Sequence, residues 1–189
     1  MAKFVIIMGS PGAGKSTLID NLNDKYKVVN VGSLMLKHAL ALHYVTDRDE
    51  IRYLDKTRMD KLRFMAFDDI KKMEGKILID THASVEQNGR FAPGTPKEAL
   101  KRIGLTRIKA LIYIDASTKD IILRRKSDKS RRREMEPEIL IDTQRMINIA
   151  LLSAYSSDLN IPLYIIFNKQ GKIKESASEL AKHILDAFS

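Results

Sequence analysis

The chain has 189 residues and no cysteine, a length that fits one ordinary domain. Apolar residues make up 44% and charged residues 30%, which allows a sizeable core and excludes wholesale disorder. The lack of cysteine excludes disulfides, thiolate zinc sites, iron–sulfur clusters and a cysteine nucleophile. The apolar run at residues 4–8 is too short for a membrane span or a signal sequence. The sequence therefore predicts a soluble, cytoplasmic chain with no membrane partner.

The positive charge is concentrated in one segment. The net charge is +9, from 33 Lys and Arg against 24 Asp and Glu, and it suggests an anionic partner. Residues 124–133 carry seven cations and one anion, which is +6 of that +9. Because the rest of the chain is nearly balanced, the pattern favours one docking site over a general nucleic-acid surface.

Apolar runs and helical patterns alternate along the chain. Strands are predicted at residues 4–8, 28–31, 77–80, 111–115 and 163–167. Most of these runs contain no alternating polar residues, which is typical of strands covered on both faces. Helices are predicted at 15–24, 33–43, 48–74, 96–103, 118–127, 138–158 and 173–188. Since parallel strands need crossovers, this order predicts an α/β fold, a three-layer doubly wound parallel sheet, with residues 1–189 as a single domain.

The first loop carries the signature of a phosphate-binding loop, the P-loop. Residues 9–16 match G-x-x-x-x-G-K-[ST] at every fixed position, between an apolar strand and a helical pattern. In such a loop backbone N–H groups face one anion, Lys15 reaches the β- and γ-phosphates, and the Ser16 hydroxyl binds Mg²⁺. The alternative, a glycine-rich turn that matches by accident, is disfavoured by the flanking elements. The residues predicted to bind ATP are Gly9, Ser10, Pro11, Gly12, Ala13, Gly14, Lys15, Ser16 and Thr17.

Acidic residues end two of the predicted strands. Asp80 follows the third strand, at the sheet edge where ligands bind in open α/β sheets. We therefore predict that Asp80 holds a Mg²⁺-bound water beside Ser16, although it could instead cap a neighbouring loop amide. His82 could act in catalysis or only orient its loop. Asp115 is predicted to cap the helix that follows it.

Several further segments resemble the archaeal-type adenylate kinases, which are P-loop nucleoside monophosphate kinases. The matching segments span nearly the whole chain and lie at residues 9–17, 29–36, 47–52, 79–83, 89–96 and 122–133. The resemblance implies a five-stranded core, a helical AMP-binding segment at about residues 30–73, and a short arginine-rich lid at about 124–138. It also implies the reversible, Mg²⁺-dependent reaction ATP + AMP ⇌ 2 ADP, with ATP and AMP as substrates.

The resemblance assigns five residues to the AMP site: Gly32, Arg48, Arg52, His82 and Gly94. Gly32 would let the loop approach the nucleotide, and Arg48 or Arg52 would contact the AMP phosphate. Gly94 belongs to the loop that would line the adenine end. From the residues alone, the two arginines fit a salt-bridged surface helix equally well, and the loop could be a proline-stiffened turn.

By the same resemblance, four cations are predicted to be catalytic: Lys15, Arg124, Arg131 and Arg133. Phosphoryl transfer depends mainly on positioning and on neutralising charge, and the arginine side chain presents a planar fork to phosphate oxygens. The alternative for the arginine segment is an exposed basic helix that attracts RNA. No aromatic residue is interleaved in the segment, which disfavours a base-stacking RNA surface.

Two positions depart from the family pattern. Relatives often carry an arginine near Asn148 and Ile149, and Arg145, one helical turn earlier, is a candidate substitute. Thr95 stands where relatives tend to have leucine, which keeps UMP, CMP or a non-nucleotide open as the acceptor. A nucleotide-dependent RNA- or protein-binding module is the alternative from a different class.

The oligomeric state does not follow from the residues. Trimers are the expectation in this family, and the apolar helical stretches at 33–45 and 146–155 could form such an interface. They could equally be buried within the monomer core.

Overall fold

The architecture is given by a computed structural model that describes residues 2–22, 26–87, 89–127 and 136–189. Its strands are β1 (Lys3–Gly9), β2 (Lys27–Asn30), β3 (Lys76–Asp80), β4 (Ser84–Gln87), β5 (Arg90–Pro93), β6 (Ile108–Asp115) and β7 (Leu163–Phe167). Its α-helices are α1 (Lys15–Asp20), α2 (Val31–Ala41), α3 (Lys56–Lys71), α4 (Lys97–Ile103), α5 (Thr118–Ser127), α6 (Glu138–Leu159) and α7 (Ile173–Phe188). Short 3₁₀ helices cover Asp49–Tyr53 and Leu105–Arg107.

Five strands form one parallel sheet in the order β2-β3-β1-β6-β7. The central strand, β1, pairs with β3 on one side and with β6 on the other. The chain therefore crosses over β1 between β3 and β6, so the carboxyl ends of these three strands lie side by side. A crevice at such a reversal is where open α/β sheets bind ligands. The predicted α/β class and the five predicted strands are confirmed.

Helices cover both faces of the sheet. Phe4 and Ile6 of β1 pack with residues of α2, α3, α4 and α6, whereas Val5 and Ile7 pack with α1, α5 and α7. Successive side chains of a strand point to opposite faces, so β1 contributes to both cores. Buried on both faces, β1 is a rigid support for the loop at its carboxyl end.

The predicted helix at residues 48–74 is wrong as a single element. A 3₁₀ helix covers Asp49–Tyr53, and α3 begins only at Lys56. The Asp55 carboxylate accepts a hydrogen bond of 2.9 Å from the backbone N–H of Arg58, which makes Asp55 the N-cap of α3. The sequence interpretation overlooked this helix start because the apolar pattern continues through it.

We expect Asp55→Ala to lower the free energy of unfolding by about 1 kcal/mol, because the first turn of α3 loses its side-chain acceptor. In a chain of this length the melting temperature should fall by roughly 2–4 °C. Asp55→Asn is the matched control, since asparagine caps about as well as aspartate. An equal loss in both variants, measured by thermal circular dichroism, would assign the effect to the missing charge and contradict the cap.

The structure also differs from the predictions at α2, at α1 and at residues 89–96. Helix α2 begins at Val31 instead of residue 33, because the side chain of Asn30 accepts from the N–H of Ser33. Helix α1 ends at Asp20, and residues 23 and 24 of the predicted helix lie outside the described residues. The predicted loop at 89–96 contains β5, which pairs antiparallel with β4. This hairpin was missed because polar and apolar residues are mixed along it and form no continuous apolar run.

Among the described residues, no helix combines the length and the apolar character needed to cross a membrane.

Candidate active site

The P-loop joins β1 to α1 at the carboxyl edge of the sheet. Gly12 and Gly14 have φ angles of +90° and +89°, a backbone conformation that favours glycine. The N–H of Ala13 donates to the carbonyl of Ser10 over 3.0 Å and closes the loop. The structure thus places the predicted ATP-binding residues, 9–17, in one stretch that runs from the end of β1 through the curled loop into the first turn of α1.

Lys15, the first residue of α1, and Asp80, the last residue of β3, form a buried ion pair. Their side chains are only 10% and 9% exposed. The Oδ2 atom of Asp80 also accepts a hydrogen bond of 2.6 Å from Nδ2 of Asn30. Asn30 is therefore a site residue that the sequence interpretation missed, although it lies within the segment that resembles the family at 29–36.

The oxygen atoms at this edge suit Mg²⁺. The Ser16 hydroxyl and the Asp80 carboxylate are hard oxygen donors, the kind that Mg²⁺ prefers. In the described part of the chain, no three His, Cys, Asp or Glu residues are grouped as metal ligands. Mg²⁺ in kinase sites is typically bound through one or two protein groups together with substrate phosphates and water. The residues present fit a metal that binds with its nucleotide.

A buried polar cluster supports the start of the P-loop. The Ser10 hydroxyl lies 3.0 Å from the Tyr113 hydroxyl. Asn148 of α6 donates to both, over 3.2 and 3.3 Å, and accepts from the Ser84 hydroxyl over 2.6 Å. Tyr113, Ser84 and Asn148 had no role in the sequence interpretation, because only the tertiary fold brings them to Ser10.

Arg145 of α6 is held by two acidic residues, one of which, Asp115, ends β6. Its guanidinium makes two hydrogen bonds of 2.8 Å to the carboxylate of Asp115 and one of 3.0 Å to Asp142. Asp115 is 1% exposed. Hydrogen bonding to Asp115 raises the pKa of Arg145, so the guanidinium stays charged. These contacts favour a structural role for Arg145 over the predicted replacement of a family arginine.

The predicted capping role of Asp115 is wrong. The hydroxyl of Ser117 accepts from the N–H of Asp120 over 3.1 Å, so Ser117 caps the start of α5. The carboxylate of Asp115 is bound to Arg145 instead. In the sequence, an aspartate at the end of a strand looks the same whether it caps the next helix or forms an ion pair. Only the position of Arg145 on α6 distinguishes the two arrangements.

Two arginines of α5 reach the P-loop. Arg124 donates to the carbonyls of Ala13 and Asn168, each over 2.9 Å, so this predicted catalytic residue does lie at the P-loop. Arg125 is buried and donates to the carbonyl of Pro11 over 2.9 Å and to Glu136 over 3.0 Å. Arg131, Arg133 and most of the predicted lid at 124–138 lie outside the described residues.

The first part of the predicted AMP site gathers around the start of α2. A Cβ atom at Gly32 would lie 3.1 Å from Nη2 of Arg48, so these two predicted residues are neighbours. Arg52 lies on the 3₁₀ helix, where it donates to the carboxylate of Asp49 over 2.9 Å. For Arg52, this exposed salt bridge matches the alternative interpretation of the two arginines as part of a salt-bridged surface helix.

The second part of the predicted AMP site is the loop that carries His82 and Gly94. A Cβ atom at Gly94 would lie 2.6 Å from the His82 carbonyl, so the close approach of these two backbones requires glycine. His82 itself is exposed. Thr95 is 0% exposed and donates to the same carbonyl over 2.9 Å. Thr95 therefore helps to hold this loop, a position that argues against a direct part in base selection.

Comparisons with solved structures identify the type of fold. Shikimate kinase from Acinetobacter baumannii, solved with shikimate, has a TM-score of 0.66 at 14% identity and covers 98% of this chain and 94% of its own. Shikimate kinase from Bacteroides thetaiotaomicron has a TM-score of 0.57 at 15% identity, with 97% and 98% covered. At such identities the likeness shows the fold alone, which is that of P-loop kinases.

Comparisons of sequence identify the family. The AAA domain family matches residues 8–142. The adenylate kinase of Pyrococcus horikoshii is 34% identical over 189 residues, covering 96% of this chain and 94% of the relative. That of Methanococcus aeolicus is 30% identical over 187 residues, covering 94% and 95%. The chain belongs to the adenylate kinases of this archaeal type, which confirms the predicted resemblance, the predicted function and the phosphotransferase class.

Proposed function

We propose that this enzyme transfers the γ-phosphoryl group of ATP directly to AMP, in the reversible, Mg²⁺-dependent reaction ATP + AMP ⇌ 2 ADP. The observation that carries the proposal is the contact between Lys15, Asp80 and Asn30. Lys15 is the cation proposed to bind phosphate, and Asp80 is the acid proposed to hold the metal. Asn30 caps α2, the first helix of the proposed AMP-binding segment, so the contact brings the two substrate sides together at one sheet edge. Two nucleotides bound on either side would be aligned there, and alignment can contribute a large part of a rate enhancement.

On the ATP side, the backbone N–H groups of residues 9–17 would bind the phosphates, and Lys15 would contact the β- and γ-phosphates. Ser16, and Asp80 through a water, would hold Mg²⁺. The metal would neutralise charge on the β- and γ-phosphate oxygens. Arg124, which lies beside Ala13, would add positive charge at the same loop.

The ion pair of Lys15 with Asp80 prepares both groups for this role. Each charge compensates the other, which is necessary because an uncompensated buried charge is strongly destabilising. Mg-ATP would offer an anion to Lys15 and a cation to Asp80, so both residues keep a partner when the substrate binds. Asp80 ends β3, which pairs with β1, and Lys15 begins the helix that follows the loop after β1.

On the AMP side, Arg48 and Arg52 would contact the phosphate, and Gly32 would admit it to the start of α2. Gly94 and His82 would hold the loop at the adenine end. Arg131 and Arg133 would close over the transferred group, excluding the water that otherwise competes as phosphoryl acceptor. A trimeric assembly stays a prediction, which the mass of the purified particle would test.

A product assay with Mg-ATP and AMP, UMP, CMP, GMP or no acceptor tests the proposal. We expect ADP formation to require an acceptor and to be at least about tenfold faster with AMP than with the other nucleotides. Chelation of Mg²⁺ should abolish it. Equal ATP consumption with and without an acceptor would contradict kinase activity, and a preference for another nucleotide would contradict the assignment of AMP.

A further inference from the structure

The side-chain amide of Asn148 connects three separate elements. Asn148 lies on α6 and is 1% exposed. Its Nδ2 donates to the hydroxyls of Ser10 and Tyr113, over 3.2 and 3.3 Å. Its Oδ1 accepts from the hydroxyl of Ser84 over 2.6 Å. One end of the amide thus contacts the P-loop and β6, and the other end contacts the first residue of β4.

The contact at Ser10 fixes the first turn of the P-loop. The Ser10 hydroxyl is buried against Tyr113, and its carbonyl accepts the N–H of Ala13 over 3.0 Å. A shift of the Ser10 side chain would therefore move the backbone groups that face the phosphates. Burial raises the pKa of Tyr113, so its hydroxyl stays protonated and remains available for hydrogen bonding at neutral pH.

The contact at Ser84 fixes the loop assigned to AMP. Ser84 is buried and pairs with Pro93 across the β4–β5 hairpin. The adjacent residue, Ala83, accepts the N–H of Gly94 over 2.7 Å at its carbonyl. The position of Ser84 is thus linked through backbone contacts to Gly94 and His82.

We propose that Asn148 is a positioning residue that couples the P-loop to the β4–β5 hairpin, so that a change on the hairpin side alters ATP binding. The part that concerns AMP rests on the proposed function. Buried polar groups must be paired, and removing one partner leaves the others unsatisfied. The Ser84 hydroxyl is connected to the hydroxyls of Ser10 and Tyr113 through this amide, so the three should respond as a unit.

The chemistry of the cluster also explains why an amide suits Asn148, near which relatives often carry an arginine. An amide has a donor end and an acceptor end, which match the neutral hydroxyls on its two sides. An arginine would place a charge among them, and a buried charge is costly without a counter-ion. The residue therefore serves to hold the two loops and contributes no charge to the transferred phosphoryl group.

A double-mutant cycle on ATP binding tests the coupling. The probe is a non-hydrolysable ATP analogue, titrated calorimetrically with Mg²⁺ into the full chain. Ser84→Ala changes only the hairpin end of the cluster. We expect it to raise the Kd of the analogue by about threefold to tenfold, and by less than about twofold when Asn148→Ala is already present. If Asn148→Ala folds poorly, a second cycle combines Ser84→Ala with Tyr113→Phe. The same loss of additivity is expected there.

Ser156→Ala is the matched control, since it removes a half-buried hydroxyl from the same helix. This hydroxyl donates to the Ile161 carbonyl over 2.6 Å. It should leave the Kd of the analogue unchanged. A purely structural role would lower the melting temperature of Ser84→Ala without changing the Kd. That result, or effects of Ser84→Ala and Asn148→Ala that simply add, would overturn the proposal. Because binding is measured without AMP, the outcome is independent of the acceptor assay.

Discussion

Lys15→Ala is expected to lower the rate of ADP formation from ATP and AMP by at least about a thousandfold at saturating substrate. The substitution removes the cation that would neutralise the β- and γ-phosphates, and no change in ATP concentration replaces it. It also leaves the buried carboxylate of Asp80 without its ion-pair partner, so the melting temperature should fall as well. A coupled ADP assay and a thermal melt measure the two effects.

The matched control is Lys172→Ala, an exposed lysine paired with Glu175 beside the start of α7. It should keep the wild-type rate, because surface ion pairs contribute little. If Lys15→Ala retained more than about a tenth of the wild-type rate, the catalytic role of Lys15 would be contradicted. A lower melting temperature without a loss of rate would then show that Lys15 serves only as the ion-pair partner of Asp80.

Arg145→Ala is expected to be the most destabilising of the charge substitutions considered. It leaves Asp115 buried without its cation, and removing one partner of a buried pair typically costs about 3 kcal/mol or more. The melting temperature should therefore fall by roughly 6–12 °C. At a temperature where the variant is folded, turnover should fall by less than about tenfold, because Arg145 neutralises Asp115 and not a phosphate.

The double variant Asp115→Asn with Arg145→Met is the control for this interpretation. Replacing both charges avoids the uncompensated carboxylate, so most of the lost stability should return. If Arg145 were instead the substitute for the family arginine, Arg145→Ala would keep its stability and lose turnover by about a hundredfold or more. Urea unfolding and initial rates on the same samples separate the two outcomes.

The sheet was predictable because its strands contain apolar runs, and β1, β3 and β6 are buried along nearly their whole length. The same signal failed for the β4–β5 hairpin, where polar and apolar residues are mixed. It also failed for the start of α3, where one capping residue, Asp55, interrupts a continuing helical pattern. Local hydrogen bonds decide both features, and hydrophobic periodicity does not report them.

The candidate site was predictable where topology alone places a residue. Lys15 lies in a motif, and Asp80 ends the strand beside it, so both were found. Asn148 was noticed only as a departure, since its partner Ser10 lies 138 residues away in the chain. Helical spacing also put Arg145 on the same side as Asn148, but the carboxylate of Asp115 decides where its guanidinium lies.

The fate of the γ-phosphoryl group is the measurement that tests the central claim most directly. ATP labelled at the γ-phosphate is incubated with Mg²⁺ and the enzyme, with and without AMP, and the labelled products are separated. Direct transfer predicts that the label appears in ADP only when AMP is present, one labelled ADP for each AMP consumed. Label released as inorganic phosphate at the same rate with and without AMP would contradict the assignment of this site to adenylate kinase chemistry.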